Sequence, residues 1–166
     1  MAHLKITRAA LLAALAVILG WVESLLPLNL GVPGIKLGLG NIAVLAALYL
    51  LGTRQAALVA AAKVCLSSLL FSGFSGFVYA SCGAALSLAV MCLLYRCRSF
   101  SPIGISAAGG ICHIAAQFAA AMIATSTPEL WRIMPLPLAA GVLTGALTGF
   151  AANILIARLG KLFQEK

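Results

Sequence analysis

A chain of 166 residues that is 63% apolar and only 8% charged is not a soluble domain, where charged residues average about 25%. A core of this size cannot hide so much apolar surface, so lipid is the expected solvent for most side chains. The net charge of +8, from eleven Lys/Arg against three Glu and no Asp, does not mark a nucleic-acid binder, because the bases stand between apolar runs and not in a patch with interleaved aromatics.

The length suits one transmembrane domain over residues 1–166, with roughly six spans of about 20 residues each. The first apolar run, Ala9–Leu26, follows a basic start at Lys5 and Arg8. A signal peptide begins in the same way, but no small-x-small cleavage site follows around Gly20–Ser24, so a retained first helix is expected. It carries the small-xxx-small pairs Ala9/Ala13 and Ala10/Ala14, which suit packing inside the bundle or against a partner subunit. Glu23 lies in its outer part.

The second run, Leu37–Leu51, is short and is entered through Leu30-Gly31-Val32-Pro33-Gly34-Ile35-Lys36. Such a segment predicts an irregular or re-entrant entry, tolerable where protein or water covers the backbone. The third run, Gln55–Phe71, holds Lys63 near its middle. The repeat Phe71-Ser72-Gly73-Phe74-Ser75-Gly76-Phe77 is expected to be a flexible outer connection. The fourth run, Phe77–Tyr95, places Tyr79 in its outer half, and Asn41 occupies the outer half of the second. The fifth, Ile103–Ala124, has His113 and Gln117 one turn apart on a face with Gly109, Gly110 and Ala120. The segment Thr125–Pro137, with Pro128, Glu129, Trp131 and Arg132, either covers the outer face or anchors at the interface. In the sixth run, Leu136–Ala157, Gly141, Gly145 and Gly149 recur every four residues and lead to Asn153. That spacing predicts close approach of a neighbouring helix, with Asn153 hydrogen-bonding across the contact.

The connections supply an orientation. With the N-terminus inside, Lys5, Arg8, Arg54, Arg96, Arg98, Arg158, Lys161 and Lys166 are cytoplasmic, against Lys36 and Arg132 outside. Eight against two is a positive-inside asymmetry, so an all-α bundle of about six helices in a bacterial inner membrane, with both ends cytoplasmic, is expected.

An ionisable group within a span costs about 2.5–3.5 kcal/mol on insertion scales, so it normally faces a partner or a watery cavity. Lys63, Glu23, His113, Gln117, Asn41, Tyr79 and Lys36 all belong to the middle or outer half of the expected bundle. They are therefore candidates for one pocket that opens outward and takes a small polar or anionic substrate. Each has a plainer reading: Lys63 as an ion pair with Glu23 or as a snorkelling side chain, and His113 as a satisfied packing group. The five cysteines lack metal-ligand spacing and read as small buried residues. No phosphate loop, H-E-x-x-H or Ser-His-Asp set is present, so no cofactor and no chemistry of the chain's own are expected.

The stretch Pro33-Gly34-Ile35-Lys36-Leu37-Gly38-Leu39-Gly40-Asn41, followed by Leu48-Tyr49-Leu50-Leu51-Gly52, resembles the signature of a bacterial membrane family. That family is named both Gx transporter and heptaprenyl diphosphate synthase component I, and the likeness covers essentially the whole chain. The synthase name implies a part in polyprenyl diphosphate formation, but trans-prenyl synthases hold magnesium and diphosphate through Asp-rich motifs. A chain without Asp cannot supply them, which leaves an accessory membrane subunit. The transporter name implies similarity to the S components of energy-coupling factor transporters. In those, a membrane subunit captures a vitamin-like nutrient, and a transmembrane coupling protein with ATPase subunits drives uptake. By that resemblance, Ala9, Ala10, Ala13 and Ala14 fall where the first helix meets the coupling protein.

Overall fold

The computed structural model describes residues 2–25 and 37–164. Among them all regular structure is helical: α1 (Ala2–Leu25), α2 (Gly40–Leu50), α3 (Thr53–Ser67), α4 (Gly73–Cys97), α5 (Pro102–Thr125) and α6 (Pro135–Gln164). A π-helical turn, Ser68–Ser72, joins α3 to α4, and a 3-10 turn, Pro128–Ile133, lies between α5 and α6. Each of the six apolar runs corresponds to one of these helices. Four helical stretches are long and apolar enough to cross a membrane: His3–Leu25, Thr53–Cys97, Pro102–Thr125 and Pro135–Phe163.

The second of these stretches is not one straight rod. Gly73 has φ +66°, a left-handed conformation that glycine adopts without steric cost, and its N–H closes the π turn on the Ser68 carbonyl. Residues Ala60, Lys63 and Val64 of α3 share a small cavity with Ala84, Ser87 and Met91 of α4, so the chain has folded back on itself. The expected loop at Phe71–Phe77 is thus a correction: Phe71 and Ser72 belong to the π turn, and Gly73–Phe77 form the first turn of α4. With no charge or proline in this stretch, the helix reverses at one glycine rather than melting into a loop.

At the other end of α3 the reversal is equally tight. Gly52, with φ +98°, sits between α2 and α3. Ser101 caps α5 by accepting a 3.2 Å hydrogen bond from the Gly104 amide, with Pro102 in the first helical position, where its missing N–H is no loss.

α2 spans only 11 residues, or about 16 Å, roughly half the hydrocarbon thickness. Its residues Ala43–Leu48 are all 0–3% exposed, and it packs against α1, α3 and α6. A helix apolar on every side is stable only when enclosed, and α2 is enclosed by protein. Its entry segment, including Pro33, Gly34 and Lys36, lies outside the described residues.

The helix ends are sorted. Arg8 stacks its guanidinium 4.1 Å from the Phe163 ring centroid and donates to the Phe163 carbonyl at 3.4 Å, which joins the start of α1 to the end of α6. Tyr49 meets Tyr95 edge-on at 4.9 Å, and Leu50 approaches Gly160. One end of the bundle therefore carries Lys5, Arg8, Arg54, Arg96, Arg98, Arg158 and Lys161, while Glu129 and Arg132 lie at the opposite end.

α5 and α6 pack through the glycine series. A Cβ at Gly145 would lie 2.7 Å from the Ser106 carbonyl oxygen, and one at Gly149 would lie 2.8 Å from the Ile103 Cα. Asn153 departs from the expected pattern: it is exposed, and Ala152 is the buried residue. A four-residue step advances about 400°, so the series drifts about 40° per step and has turned roughly 120° from Gly141 to Asn153.

Candidate functional site

The non-basic half of the bundle is hollow. A cavity of about 570 Å³ lies among α1, the start of α2, α3, the π turn, α4, α5 and α6, and reaches the 3-10 turn at Leu130 and Ile133. Glu23, Asn41, Lys63, Tyr79, His113 and Gln117 all line it. Six of the seven candidate binding residues, drawn from five helices, thus come together, and the seventh, Lys36, lies outside the described residues. The volume falls within the roughly 300–1,000 Å³ of typical small-molecule sites.

Glu23 is 8% exposed and reaches across to the start of α2. Its Oε1 accepts from the Gly38 amide at 2.6 Å and its Oε2 from the Leu39 amide at 3.0 Å. A carboxylate here satisfies two amides near the helix start and meets the positive end of the helix dipole. Burial of the charge is tolerable because both oxygens are hydrogen-bonded. Lys63 crosses the first turn of α2: a Cβ at Gly40 would lie 2.8 Å from the Lys63 Cε and 2.7 Å from the Ala16 carbonyl oxygen. Its Nζ donates to Asn41 Oδ1 at 2.6 Å. Gly40 is the gap through which the lysine stem passes.

His113 and Gln117 project from α5 onto α4 where Gly83 leaves room, and a Cβ there would lie 2.9 Å from each side chain. Lys63, Asn41 and His113 also line a second pocket of about 10 Å³ beside the large one, together with Ser87 and Met91. That is about the space of one water.

Hydroxyls missed at the sequence level form much of the remaining polar wall. Ser68, Ser87, Ser106, Thr144 and Thr148 line the cavity, and each is at least nine-tenths buried. Ser106 and Thr148 meet at 3.1 Å, and Thr148 also bonds the Thr144 and Gly145 carbonyls at 2.9 and 3.0 Å. Phe71, Phe118, Leu130 and Ile133 supply apolar lining. Lone serines inside apolar runs carry no periodic signal, and only the fold shows that they share a face with Lys63.

The alanines of α1 divide. Ala9 is buried and Ala13 packs against the same core, whereas Ala10 and Ala14 are exposed. Ala9, Leu12, Ala16 and Glu23 form the inward stripe at helical spacing, which leaves Ala10 and Ala14 on the face available to lipid or to another chain. Among the described residues no three of His, Cys, Asp and Glu converge as a metal site, and the five cysteines are free thiols that are not buried as expected: Cys65, Cys82 and Cys97 are exposed, and Cys92 and Cys112 are half-buried.

A sequence profile of heptaprenyl diphosphate synthase component I matches residues 12–155, a stretch running from α1 into α6. The chain belongs to that family. The matched stretch includes every cavity-lining residue named above. No curated protein and no solved structure matches the chain.

Proposed function

We propose that this family member is a membrane-embedded binding subunit that captures a small, polar or anionic metabolite in the cavity and relies on partner proteins for energy. The observation that carries the reading is the convergence of Glu23, Asn41, Lys63, Tyr79, His113 and Gln117 on one cavity of about 570 Å³. Polar groups at this depth are costly unless they serve a ligand or one another. The basic end is cytoplasmic on the positive-inside rule, so the cavity belongs to the outer half and faces incoming solute. The exposed Ala10/Ala14 face of α1 is the surface offered to a coupling protein, because small residues let a second helix approach closely.

The test is purification in mild detergent followed by native mass spectrometry and thermal-shift measurement. A retained small molecule is expected, and Lys63→Met is expected to weaken binding of an anionic one by about tenfold or more, the usual loss for a charged hydrogen bond. Empty wild-type protein that no metabolite stabilises would sink the reading.

The family's name favours a second reading, a non-catalytic membrane subunit that assists polyprenyl diphosphate synthesis. Deletion of the gene separates the two. Shortened prenyl products support the accessory role, and normal products with impaired uptake support capture of a nutrient.

A further inference from the structure

The hydroxyls of the cavity fall into two classes. Ser106, Thr144 and Thr148 spend their hydrogen bonds on one another and on the α6 backbone. Ser68 and Ser87 are 4% and 5% exposed and line the cavity, yet their hydroxyls have no hydrogen-bond partner among the described residues. Among the described residues the buried side-chain oxygen sealed off without a partner is Ser67 Oγ, whereas the Ser68 and Ser87 oxygens open onto the cavity, where a bound molecule can meet them. Two helical features bring these serines to the cavity. Ser68 opens the π turn, a departure from α geometry that is frequent at functional sites. Ser87 lies on α4 where it lines both the large cavity and the small pocket shared with Lys63 and His113.

The charged chemistry of this wall is one-sided. Glu23, the one carboxylate lining the cavity among the described residues, has both oxygens occupied by backbone amides. An ammonium offers only donors, and a serine hydroxyl offers a donor to any acceptor presented to it. We propose that Ser68 and Ser87 are ligand-reading residues which, with Lys63, select an acceptor-rich molecule bearing a carboxylate or phosphate. The inference rests on the capture reading above and names the substrate class and two specificity-determining residues of that site.

The test compares wild-type protein, Ser68→Ala, Ser87→Ala and the double variant, each stripped of small molecules in detergent. The probe added back is a deproteinised metabolite extract of the expressing cells, in one arm treated with phosphatase. Bound mass is read by native mass spectrometry, and melting temperature is measured before addition. Each single variant is expected to retain roughly 3- to 10-fold less bound molecule and the double variant less still, with the stripped melting temperature unchanged or raised. Loss of wild-type binding after phosphatase treatment assigns a phosphate, and unchanged binding assigns a carboxylate. Full retention by the double variant overturns the proposal while leaving the capture reading intact. A stripped melting temperature that falls also overturns it, because the serines are then structural. Wild-type protein that binds nothing overturns the capture reading itself.

Discussion

The basic half of this bundle and the opposite half are built from the same apolar alphabet but are packed to different ends. Around α2 the chain is filled to completion: Ala46, Ala47 and Leu48 have no exposed surface, and Leu45 has 1%. Beyond the first turn of α2 the same helices splay around a cavity of about 570 Å³. Alanines along α2 draw the backbones together at the closed end. At the open end Gly109 and Gly110 are themselves filled by Met91 and by the backbone of Gly141, so the cavity comes from the splay of the helices and not from missing side chains. The closed half thus fixes the frame, and the hollow half has polar groups to use.

The comparison is most easily broken at the α5–α6 contact. Gly149→Val places a Cβ 2.7 Å from the Ser106 Cβ and 2.8 Å from the Ile103 Cα. One of those neighbours is backbone, so α5 and α6 must separate. Overpacking costs about 1–3 kcal/mol and occasionally more, and the rigid neighbour argues for the upper end. Unfolding in mixed micelles of mild detergent and dodecyl sulfate should show the largest loss of any variant considered. A Gly149→Val protein as stable as wild type would mean that the helices are not in close contact.

Leu45→Ala should come next. In water such a truncation costs about 2–5 kcal/mol through lost transfer energy and a residual cavity. Inside a bilayer the unfolded reference is itself apolar, so the transfer part largely disappears and packing remains. A loss near the bottom of that range, about 2 kcal/mol, is expected by the same unfolding assay. A loss near the top would show that α2 unfolds into an aqueous reference state and not an apolar one.

Why some of this was legible in the sequence and some was not follows from the range of each signal. Hydropathy reads about 20 residues at a time, so the six apolar runs mark the six helices and the shortness of α2 is visible directly. The gathering of basic residues at one end was also legible, since loop charge needs no tertiary contact. The inward stripe Ala9, Leu12, Ala16 and Glu23 was available from helical spacing, yet alanine pairs on both faces of α1 obscured it. Lys63 and His113 stood out because charge and imidazole are rare in spans. Ser68 and Ser87 did not, because serine is cheap enough inside a helix to carry no warning. The reversal at Gly73 was hidden for another reason: glycines at 73 and 76 look alike, and only the backbone shows that the first takes the positive φ.

The smallest effect sharpens the comparison most. Phe118 lies on α5, half-buried, with its side chain on the cavity wall. Truncating an aromatic side chain in a filled core costs about 3–5 kcal/mol, because the surrounding atoms lose contacts that nothing replaces. At Phe118 much of the ring already faces open space, and its removal enlarges an existing cavity instead of opening a sealed one. Phe118→Ala should therefore change stability by less than about 1 kcal/mol, below Leu45→Ala despite deleting the larger side chain. Retention of the native small molecule should fall more than stability does, because the ring is part of the apolar lining. Equal stability losses at Phe118 and Leu45 in the same unfolding assay would show that the hollow half is packed as tightly as the closed one. The distinction between frame and site would then have no basis.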